Sequence, residues 1–479
     1  MPKRNLIWII VVVVVALVTA WIARPRYRTR SAAPVRVDAL MKAYRVIAEN
    51  YYQPVDETRL RCDAVAAMVR RLDQFSRYIP PDRAEAFKRQ MAGKVRGLGL
   101  VVDSDPLGLV VVCVYPGSPA DKAGLEIGNL ILAINGLPTD RLDLTRIRRI
   151  LRADGDAVVH LRFSGAGPPA QTVTLAPAEF AIDAVTGLYR GRAGGWVYLV
   201  DNKRNIAYFR VREFIPGTVE QFQRAFRRLA GEGIRGLVLD LRDNPGGLMP
   251  QAVALANLFL QGGPIVTVVG RGGQLESHQA HTGGTYPDVL MVVLVNGSTA
   301  SAAEIVAGSL HRAGRGVLVG RPTCGKHCVQ SVFELGGQLG LVHLTTAMFF
   351  FDADLAKAGT GTGAGLLARV CPSRPIMPHV LVDIAPQERR KLQRLRWGAW
   401  AASRGRPDTV PASRPAALLG ARLVEDLLQL DAPLARAVEL LRRPEKIIRI
   451  LAAAARKRRA RQKAQAAAAA TRTAADDTE

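Results

Sequence analysis

The stretch from Val289 to Leu310 constrains the fold most, because an apolar strand there runs directly into a helix through a turn of small residues. The turn, from Asn296 to Glu304, has the sequence Asn-Gly-Ser-Thr-Ala-Ser-Ala-Ala-Glu. Such a turn can expose a hydroxyl group and aim the N–H groups of the new helix at a developing negative charge, as acyl transfer requires. A simpler interpretation is that Ser298 or Ser301 only caps the helix.

The segments before this turn alternate between strand and helix. Apolar strands are predicted at Ile206–Val211, Leu237–Leu241 and Val289–Val295, and a capping box at Thr218–Gln221 begins the helix that separates the first two. Alternation of this kind is typical of a layered α/β domain. We therefore predict an α/β fold class, with the layered core at residues 181–385.

The chain has 479 residues, so several domains are expected around this core. We predict a small helical segment at 35–94. A β-rich domain follows at 95–180, where short apolar runs are separated by turn signals. After the core, 386–479 form a basic helical extension with an Ala-rich tail that is expected to be disordered from Ala464 onward.

Residues 1–34 contain an apolar run, Leu6 to Ala23, that carries no charge and is long enough to cross a bilayer. It is either a membrane anchor or a cleaved signal peptide, and the poor cleavage site at Val18-Thr19-Ala20 favours an anchor. Basic residues flank both ends of the run, so charge alone leaves its orientation open.

Charge and cysteine content argue against two classes of protein, nucleic-acid-binding proteins and disulfide scaffolds. The net charge of +25 is spread along the chain and is densest from Arg456 to Lys463, which favours a solubilising or lipid-contacting tail. We predict no nucleic-acid partner. Five cysteines in so long a chain do not form a disulfide scaffold.

Two further segments could contribute to a reaction. A Pro-Gly-Gly turn, Pro245–Gly247, follows the strand that ends at Leu241, and its bare backbone can approach a substrate, although a tight turn without other role has the same pattern. Lys326 lies among small and apolar residues after a strand at Val317–Gly320. A desolvated lysine loses its proton more readily and can deprotonate a serine, but a single lysine is usually a surface charge.

In order and spacing these three segments resemble the carboxy-terminal processing peptidases, also called tail-specific proteases. That family has a strand ending in Leu-Arg-x-Asn-Pro-Gly-Gly, then Ser-Ala-Ser-Ala-Ser-Glu, then Gly-Lys-Gly with a glutamine four residues after the lysine. The matching residues are Leu241–Gly247, Ser298–Glu304 and Gly325–Gln330, and the resemblance covers about residues 40–350.

The resemblance implies a serine peptidase with a Ser/Lys dyad. Ser301 would be the nucleophile and Lys326 the general base, with Gln330 orienting the lysine. The N–H groups of Gly247 and Ala302 would form the oxyanion hole, with the neighbouring Gly246 as the alternative to Gly247. No cofactor is implied.

Members of that family also carry a PDZ domain, and the β-rich segment resembles one. Gly97-Leu98-Gly99-Leu100 resembles a carboxylate-binding loop, and Gly117–Ala120 and Ile131–Gly136 fit the PDZ pattern that follows it. The amides of the loop would hold the C-terminal carboxylate of a substrate while the adjacent strand accepts the tail as an added β-strand.

The chain departs from the family pattern next to the lysine. His327 replaces a glycine, and Cys324 and Cys328 flank the lysine. The cysteines are open to three interpretations: inert packing groups, a disulfide, or redox control of the lysine. A metal site on these three residues would lack a fourth ligand, so we predict no metal. The family's usual ending is only faintly echoed near residues 350–383.

The resemblance implies an endopeptidase anchored in the inner membrane, with its body in the periplasm or an equivalent lumen. Its partners would be the membrane and protein substrates recognised by their C-terminal ends, and homo-oligomerisation is left open. Two alternatives remain. One is a membrane-tethered PDZ adaptor that has lost turnover, and the other is a Ser-His-Asp hydrolase that uses His311 or His327.

Overall fold

The computed structural model describes residues 37–105, 108–126, 128–152, 157–164, 169–190, 195–231, 233–271, 273–281, 284–286, 288–336, 338–351, 375–385, 387–389, 391–392, 395 and 416–476. The chain divides into two compact units, Met1–Ala64 and Val65–Glu479. The predicted anchor Leu6–Ala23 and Cys371 lie outside the described residues. None of the helices that are described is both long and apolar enough to cross a membrane.

The segment predicted to be helical contains a short strand as well. Its helices are α1 (Asp38–Asn50), α2 (Glu57–Arg70) and α3 (Pro81–Met91), and β1 (Arg77–Ile79) lies between the last two. Three residues are too few to give a period-2 pattern. The strand forms because it pairs antiparallel with a distant segment, Leu341–Ile79 being one pair in the register.

The β-rich domain is an antiparallel sheet closed by a strand pair. The strands β2 (Lys94–Gly97) and β9 (Ala178–Ala181) pair at the entry and exit of the domain. Between them lies a six-stranded antiparallel sheet with two helices. In chain order these elements are β3 (Leu100–Asp105), β4 (Gly108–Val114), α4 (Pro119–Lys122), β5 (Leu130–Ile134), β6 (Leu137–Pro138), α5 (Leu144–Arg152), β7 (Val159–Ser164) and β8 (Gln171–Leu175). The order β3-β4-β5-β7-β8 leaves β3 at the edge.

The layered core contains a seven-stranded sheet that is parallel over most of its width. Two of its strands are antiparallel to the rest, β10 (Val185–Thr186) and β13 (Leu199–Asp201). Between them in the chain, β11 (Tyr189–Arg190) and β12 (Trp196–Val197) form a separate two-stranded hairpin. The parallel strands are β14 (Ile206–Val211), β15 (Gly236–Asp240), β18 (Leu290–Val295), β19 (Val317–Gly320) and β22 (Val380–Leu381). They lie in the sheet in the order β14-β15-β18-β19-β22.

A second, antiparallel sheet carries the lysine segment. It contains β1 and four longer strands, β16 (Pro264–Gly270), β17 (Leu275–Gln279), β20 (Cys328–Glu334) and β21 (Leu341–Phe350). Strands β20 and β21 pair along their lengths, with a register shift between Val329 and Gln330.

Both faces of the parallel sheet are covered, as a buried parallel sheet requires. Leu237 and Leu239 belong to the core with the helices α6 (Thr218–Ala230), α7 (Met249–Asn257) and α8 (Ala302–Arg312). Val238, between them, packs on the opposite face with Leu434 and Val438. That face is covered by α9 (Ala416–Leu430), α10 (Ala432–Leu441) and α11 (Pro444–Asp476).

The C-terminal helices are therefore a layer of the core rather than an appended extension. Helix α11 continues to Asp476, through the Ala-rich stretch from Ala464 for which we predicted disorder. Alanine has the highest helix propensity of all residues, so a helix that begins on a packed segment is readily propagated through such a stretch.

Candidate active site

Ser301 lies at the sharpest point of the turn between β18 and α8. Its backbone has φ 54° and ψ −120°, a left-handed conformation that is costly for a residue with a side chain. It occupies the N-cap position, as the capping interpretation expected, and its N–H donates to the Glu304 carboxylate at 2.9 Å. The strained turn places a half-buried hydroxyl where the strand meets the first turn of the helix.

The Glu304 carboxylate joins this turn to the lysine segment. It is fully buried and accepts four hydrogen bonds, from the N–H groups of Ser301 (2.9 Å), Lys326 (2.8 Å) and Gly325 (2.7 Å) and from the Thr323 hydroxyl (2.6 Å). Burial raises the pKa of Glu304 above its usual value, and these donors oppose that shift. One side chain thus fixes two segments that are far apart in the chain.

Lys326 is held by Gln330. The Nζ atom donates to Gln330 Oε1 at 2.8 Å and lies 5.3 Å from the centre of the Phe75 ring, a distance at which a cation is attracted to an aromatic face. Between the two described residues Lys326 and Ser301 there is no hydrogen bond in this conformation. Transfer of a proton between the two would require the long lysine side chain to turn toward Ser301.

Phe75 reaches Lys326 because hydrogen bonds fix the position of the loop before β1. The Asp73 carboxylate accepts from the N–H groups of Phe75 and Ser76, both at 2.7 Å. The Ser76 hydroxyl in turn accepts from Thr345 N at 3.0 Å, which fastens the loop to β21. The helical prelude thus contributes a side chain to the site.

The Pro-Gly-Gly turn approaches Ser301 so closely that only glycine fits. A Cβ on Gly246 would lie 2.8 Å from Ser301 Cβ, and one on Gly247 would lie 2.2 Å from Phe214 O. The N–H of Gly246 donates to Asn244 Oδ1 at 2.8 Å. Among the described residues, the N–H groups of Gly247 and Ala302 have no acceptor. Of the two glycines weighed for the oxyanion hole, Gly247 is therefore the one with a free donor.

Hydrogen bonds connect the glycine turn to the serine turn. Ala300 N donates to Asn244 O at 3.0 Å, and the Thr299 hydroxyl donates to Leu241 O at 2.8 Å. The side chain of Asn244 donates to Val211 O at 2.9 Å. These bonds fix the glycine turn relative to the serine turn.

Arg242, Asp240 and Asp431 form a buried ion network next to the glycine turn. Arg242 donates to Asp240 through Nε at 2.9 Å and through Nη2 at 2.6 Å, and to Asp431 through Nη1 at 2.7 Å and Nη2 at 2.8 Å. Tyr208 donates to Asp240 at 2.6 Å. The two carboxylates raise the pKa of Arg242 well above its usual value against the effect of burial. Asp431 caps α10, so the C-terminal layer contributes directly to the site's support.

Asp431→Asn tests this support. Asparagine can still cap α10, but the charge-assisted hydrogen bonds to buried Arg242 are weakened, so we expect the free energy of unfolding to fall by about 1.5–3 kcal/mol. Urea denaturation measures it, with Glu425→Gln on the exposed side of α9 as the control. A change no larger than that of the control would show that Asp431 does not stabilise Arg242.

The proposed carboxylate-binding loop begins where β2 ends. Gly99 has φ 77°, and a Cβ there would lie 2.0 Å from Ser118 Cβ, so glycine is required. Leu98 and Leu100 are buried in the domain core. The carbonyls of Leu98 and Gly99 accept from Ala120 N at 2.9 Å and Tyr115 N at 2.8 Å, which sets the orientation of the loop's peptide planes.

Two of the three unusual residues next to Lys326 are packing groups. His327 stacks on Phe349 with ring centres 4.7 Å apart, and Cys328 is fully buried. The third, Cys324, is exposed. The described residues contain no group of side chains that could hold a metal ion.

His311 lies too far along α8 to serve Ser301. It follows the serine by three turns of helix, a rise of about 15 Å. Its ring stacks on His379 with centres 4.4 Å apart, and His379 Nδ1 accepts from Leu318 N at 3.0 Å. This geometry gives no support to a Ser-His-Asp arrangement that uses His311.

Burial lowers the pKa of His311 and of His379 from 6.5 to about 4. An unfolded chain takes up these protons as the pH falls through about 6.5, whereas the folded chain does so only near 4, so stability is complete above that range and declines as the pH falls. We expect the free energy of unfolding, from urea titrations at pH 7 and pH 5, to be lower at pH 5.

His379→Asn, which removes one of the titrating groups, should reduce this pH dependence. Some will remain because burial also lowers the pKa of His343 to about 4. Equal slopes in the parent and the variant would contradict the assignment.

Comparisons with known proteins agree with this geometry. Residues 205–361 match the profile of Peptidase family S41, and residues 110–164 match that of a PDZ domain. The chain is 32% identical over 339 residues to a C-terminal processing peptidase, chloroplastic, of Tetradesmus obliquus, covering 67% of this chain and 71% of that protein. This chain belongs to peptidase family S41.

Two further proteins are similar to this chain. The carboxy-terminal processing protease CtpA of Bacillus subtilis is 32% identical over 311 residues, covering 64% of each chain. A solved structure of a photosystem II D1 C-terminal processing protease is 27% identical, with a TM-score of 0.41, and covers 78% of this chain and 100% of that one. As a member of family S41, the chain is a serine-type peptidase with an α/β core and a PDZ domain, which confirms the fold class, enzyme class and family predicted from the sequence.

Sequence reasoning missed three residues that the structure brings into the site. Phe75 and Asp431 carry no local signal of their roles. Glu304 does, because a glutamate three residues after a candidate N-cap serine is the pattern of a capping box. Its bonds to the lysine segment could not be anticipated from that pattern.

Proposed function

We propose that the chain is an endopeptidase in which Ser301 is the nucleophile and Lys326 the general base. The observation that carries this proposal is the shared carboxylate of Glu304, which fastens the serine turn and the lysine segment to one point. The serine lies in a strained turn and the lysine lies just before a strand of the second sheet, and the shared carboxylate keeps them as neighbours.

The residues account for each step of acyl transfer. The amine of Lys326 takes the Ser301 proton as the serine oxygen attacks the scissile carbonyl. The N–H groups of Gly247 and Ala302 stabilise the oxyanion. The ammonium then gives its proton to the leaving amine, and a water molecule, deprotonated by the same lysine, releases the acyl group. Gln330 holds the amine in place through its side-chain oxygen.

The second part of the proposal concerns substrates. The PDZ domain binds C-terminal ends of proteins, with the carboxylate at Gly97-Leu98-Gly99-Leu100 and the tail paired to β3. Two observations support it: β3 is the edge strand of its sheet, and the glycine of the loop adopts a conformation that leaves no room for a side chain.

The third part concerns location. We propose that the apolar run Leu6–Ala23 anchors the chain in the inner membrane and that the body acts on extracytoplasmic proteins. The length and uncharged character of that run support an anchor. No nucleic-acid partner or cofactor is part of this proposal.

A non-catalytic PDZ adaptor is the alternative, and one observation favours it. Lys326 donates to Gln330 and not to Ser301, and a bulky histidine follows it where the family has glycine. An adaptor would bind tails but would not cleave them.

Cleavage of an unstructured protein with an apolar C-terminus separates the two. With the full chain in detergent, we expect Ser301→Ala and Lys326→Ala each to lower kcat by at least about a thousandfold, because each removes a member of the dyad. Ser298→Ala, three residues before the nucleophile and exposed, is the matched control and should stay active.

Each variant must keep the urea midpoint of the parent for the comparison to count. Tail binding by the parent with no turnover would establish the adaptor instead. Full activity in the Lys326 variant would show that another group is the base.

A further inference from the structure

The open edge of β3 is accompanied by a strongly basic helix. Helix α5 lies beside β3 and has the sequence Leu-Thr-Arg-Ile-Arg-Arg-Ile-Leu-Arg, with four arginines and no carboxylate. Ile147 and Leu151 are buried in the domain core. Arg146, Arg148 and Arg149 are exposed, on the faces of the helix that do not contact the core.

Arg148 is the arginine that reaches across to the edge strand. Its Nη2 atom lies 3.5 Å from Asp103 Oδ1 on β3, and the two side chains are 55% and 54% exposed. A tail that adds to β3 enters between this strand and α5. The Arg148–Asp103 pair spans the space that such a tail would occupy.

This ion pair is easily displaced. Exposed pairs of this kind contribute about 0–1 kcal/mol, so a tail can separate them at little cost. Asp103 keeps a second partner, because its Oδ1 also accepts from Ser104 N at 3.0 Å. Among the described residues Arg148 has no second acceptor, and a carboxylate on the tail can replace the one that it loses.

The register of an added strand locates that carboxylate. A tail paired antiparallel to β3, with its terminal carboxylate at the loop, puts its last residue opposite Leu100. Residues pair one to one along such a ladder, so Asp103 lies opposite the third residue before the last. Side chains that lie directly opposite each other in an antiparallel pair share a face of the sheet, so the third residue before the last lies beside Asp103 and within reach of Arg148.

We propose that the PDZ domain selects C-terminal tails that carry Asp or Glu three residues before the last residue, and that Arg148 determines this specificity. The inference deepens the proposed function and rests on tail binding by the PDZ domain. The other arginines of α5 strengthen the preference, since their field attracts acidic tails and repels basic ones.

Fluorescence anisotropy with labelled tail peptides tests this inference. The full chain with Ser301→Ala, which prevents cleavage, is titrated in detergent against two peptides that share an apolar last residue and differ only in Glu or Gln three residues before it. We expect the Glu peptide to bind about five- to tenfold more tightly at low salt and the difference to shrink at high salt.

Three variants in that background assign the effect. Arg148→Gln should abolish the preference for Glu over Gln, whereas Arg149→Gln, the adjacent exposed arginine, should keep most of it. Arg148→Glu should bind a peptide with Lys at that position more tightly than the Glu peptide. A parent that binds both peptides equally, or prefers a basic residue through Asp103, overturns the inference.

Peptides with an amidated C-terminus distinguish the failure of this inference from that of the proposed function. Free tails that bind without regard to the acidic residue refute only the role of Arg148. If amidated tails bind as well as free ones, or if no tail binds, recognition of C-terminal ends by the PDZ domain is wrong, and the inference fails with it.

Discussion

The buried carboxylate of Glu304 is the interaction on which the site depends. A fully buried carboxylate is costly unless its oxygens are well satisfied, and here four donors surround it. Three of them are backbone N–H groups from the serine turn and the lysine segment. If one of these donors moved away, a carboxylate oxygen would be left without a partner in the interior. The serine turn and the lysine segment are therefore held in one arrangement.

The parallel sheet supplies the frame for that arrangement. The serine turn, the glycine turn and the segment before Lys326 all follow the carboxyl ends of neighbouring parallel strands, where sites of layered α/β proteins commonly lie. The C-terminal helices cover the second face of the sheet and, through Asp431, pair with Arg242 just before the glycine turn. The outer layer thus stabilises both the core and the backbone that offers the Gly247 N–H.

Much of this could be predicted from the sequence because the signals are local. The apolar strands, the strained small-residue turn and the Pro-Gly-Gly turn are visible as patterns, and their order carries the family resemblance. What escaped prediction depends on contacts between distant segments: β1 exists only through pairing with β21, and Asp431 acts on an arginine 189 positions away. The stretch from Ala464 is helical, although we predicted disorder there, since Ala-rich sequence without a local cap is compatible with either state.

Steady-state kinetics of Glu304→Gln would show most directly whether the Glu304 carboxylate aligns the serine turn with the lysine segment. The amide nitrogen would face backbone N–H groups, so the serine turn and the lysine segment should shift relative to each other. We expect kcat to fall by about a hundredfold or more while KM stays within about threefold, because PDZ and backbone contacts to substrate remain. Glu220→Gln, an exposed residue on α6, should be neutral. A Glu304→Gln variant with the kcat of the parent would contradict the claim that this carboxylate aligns the site.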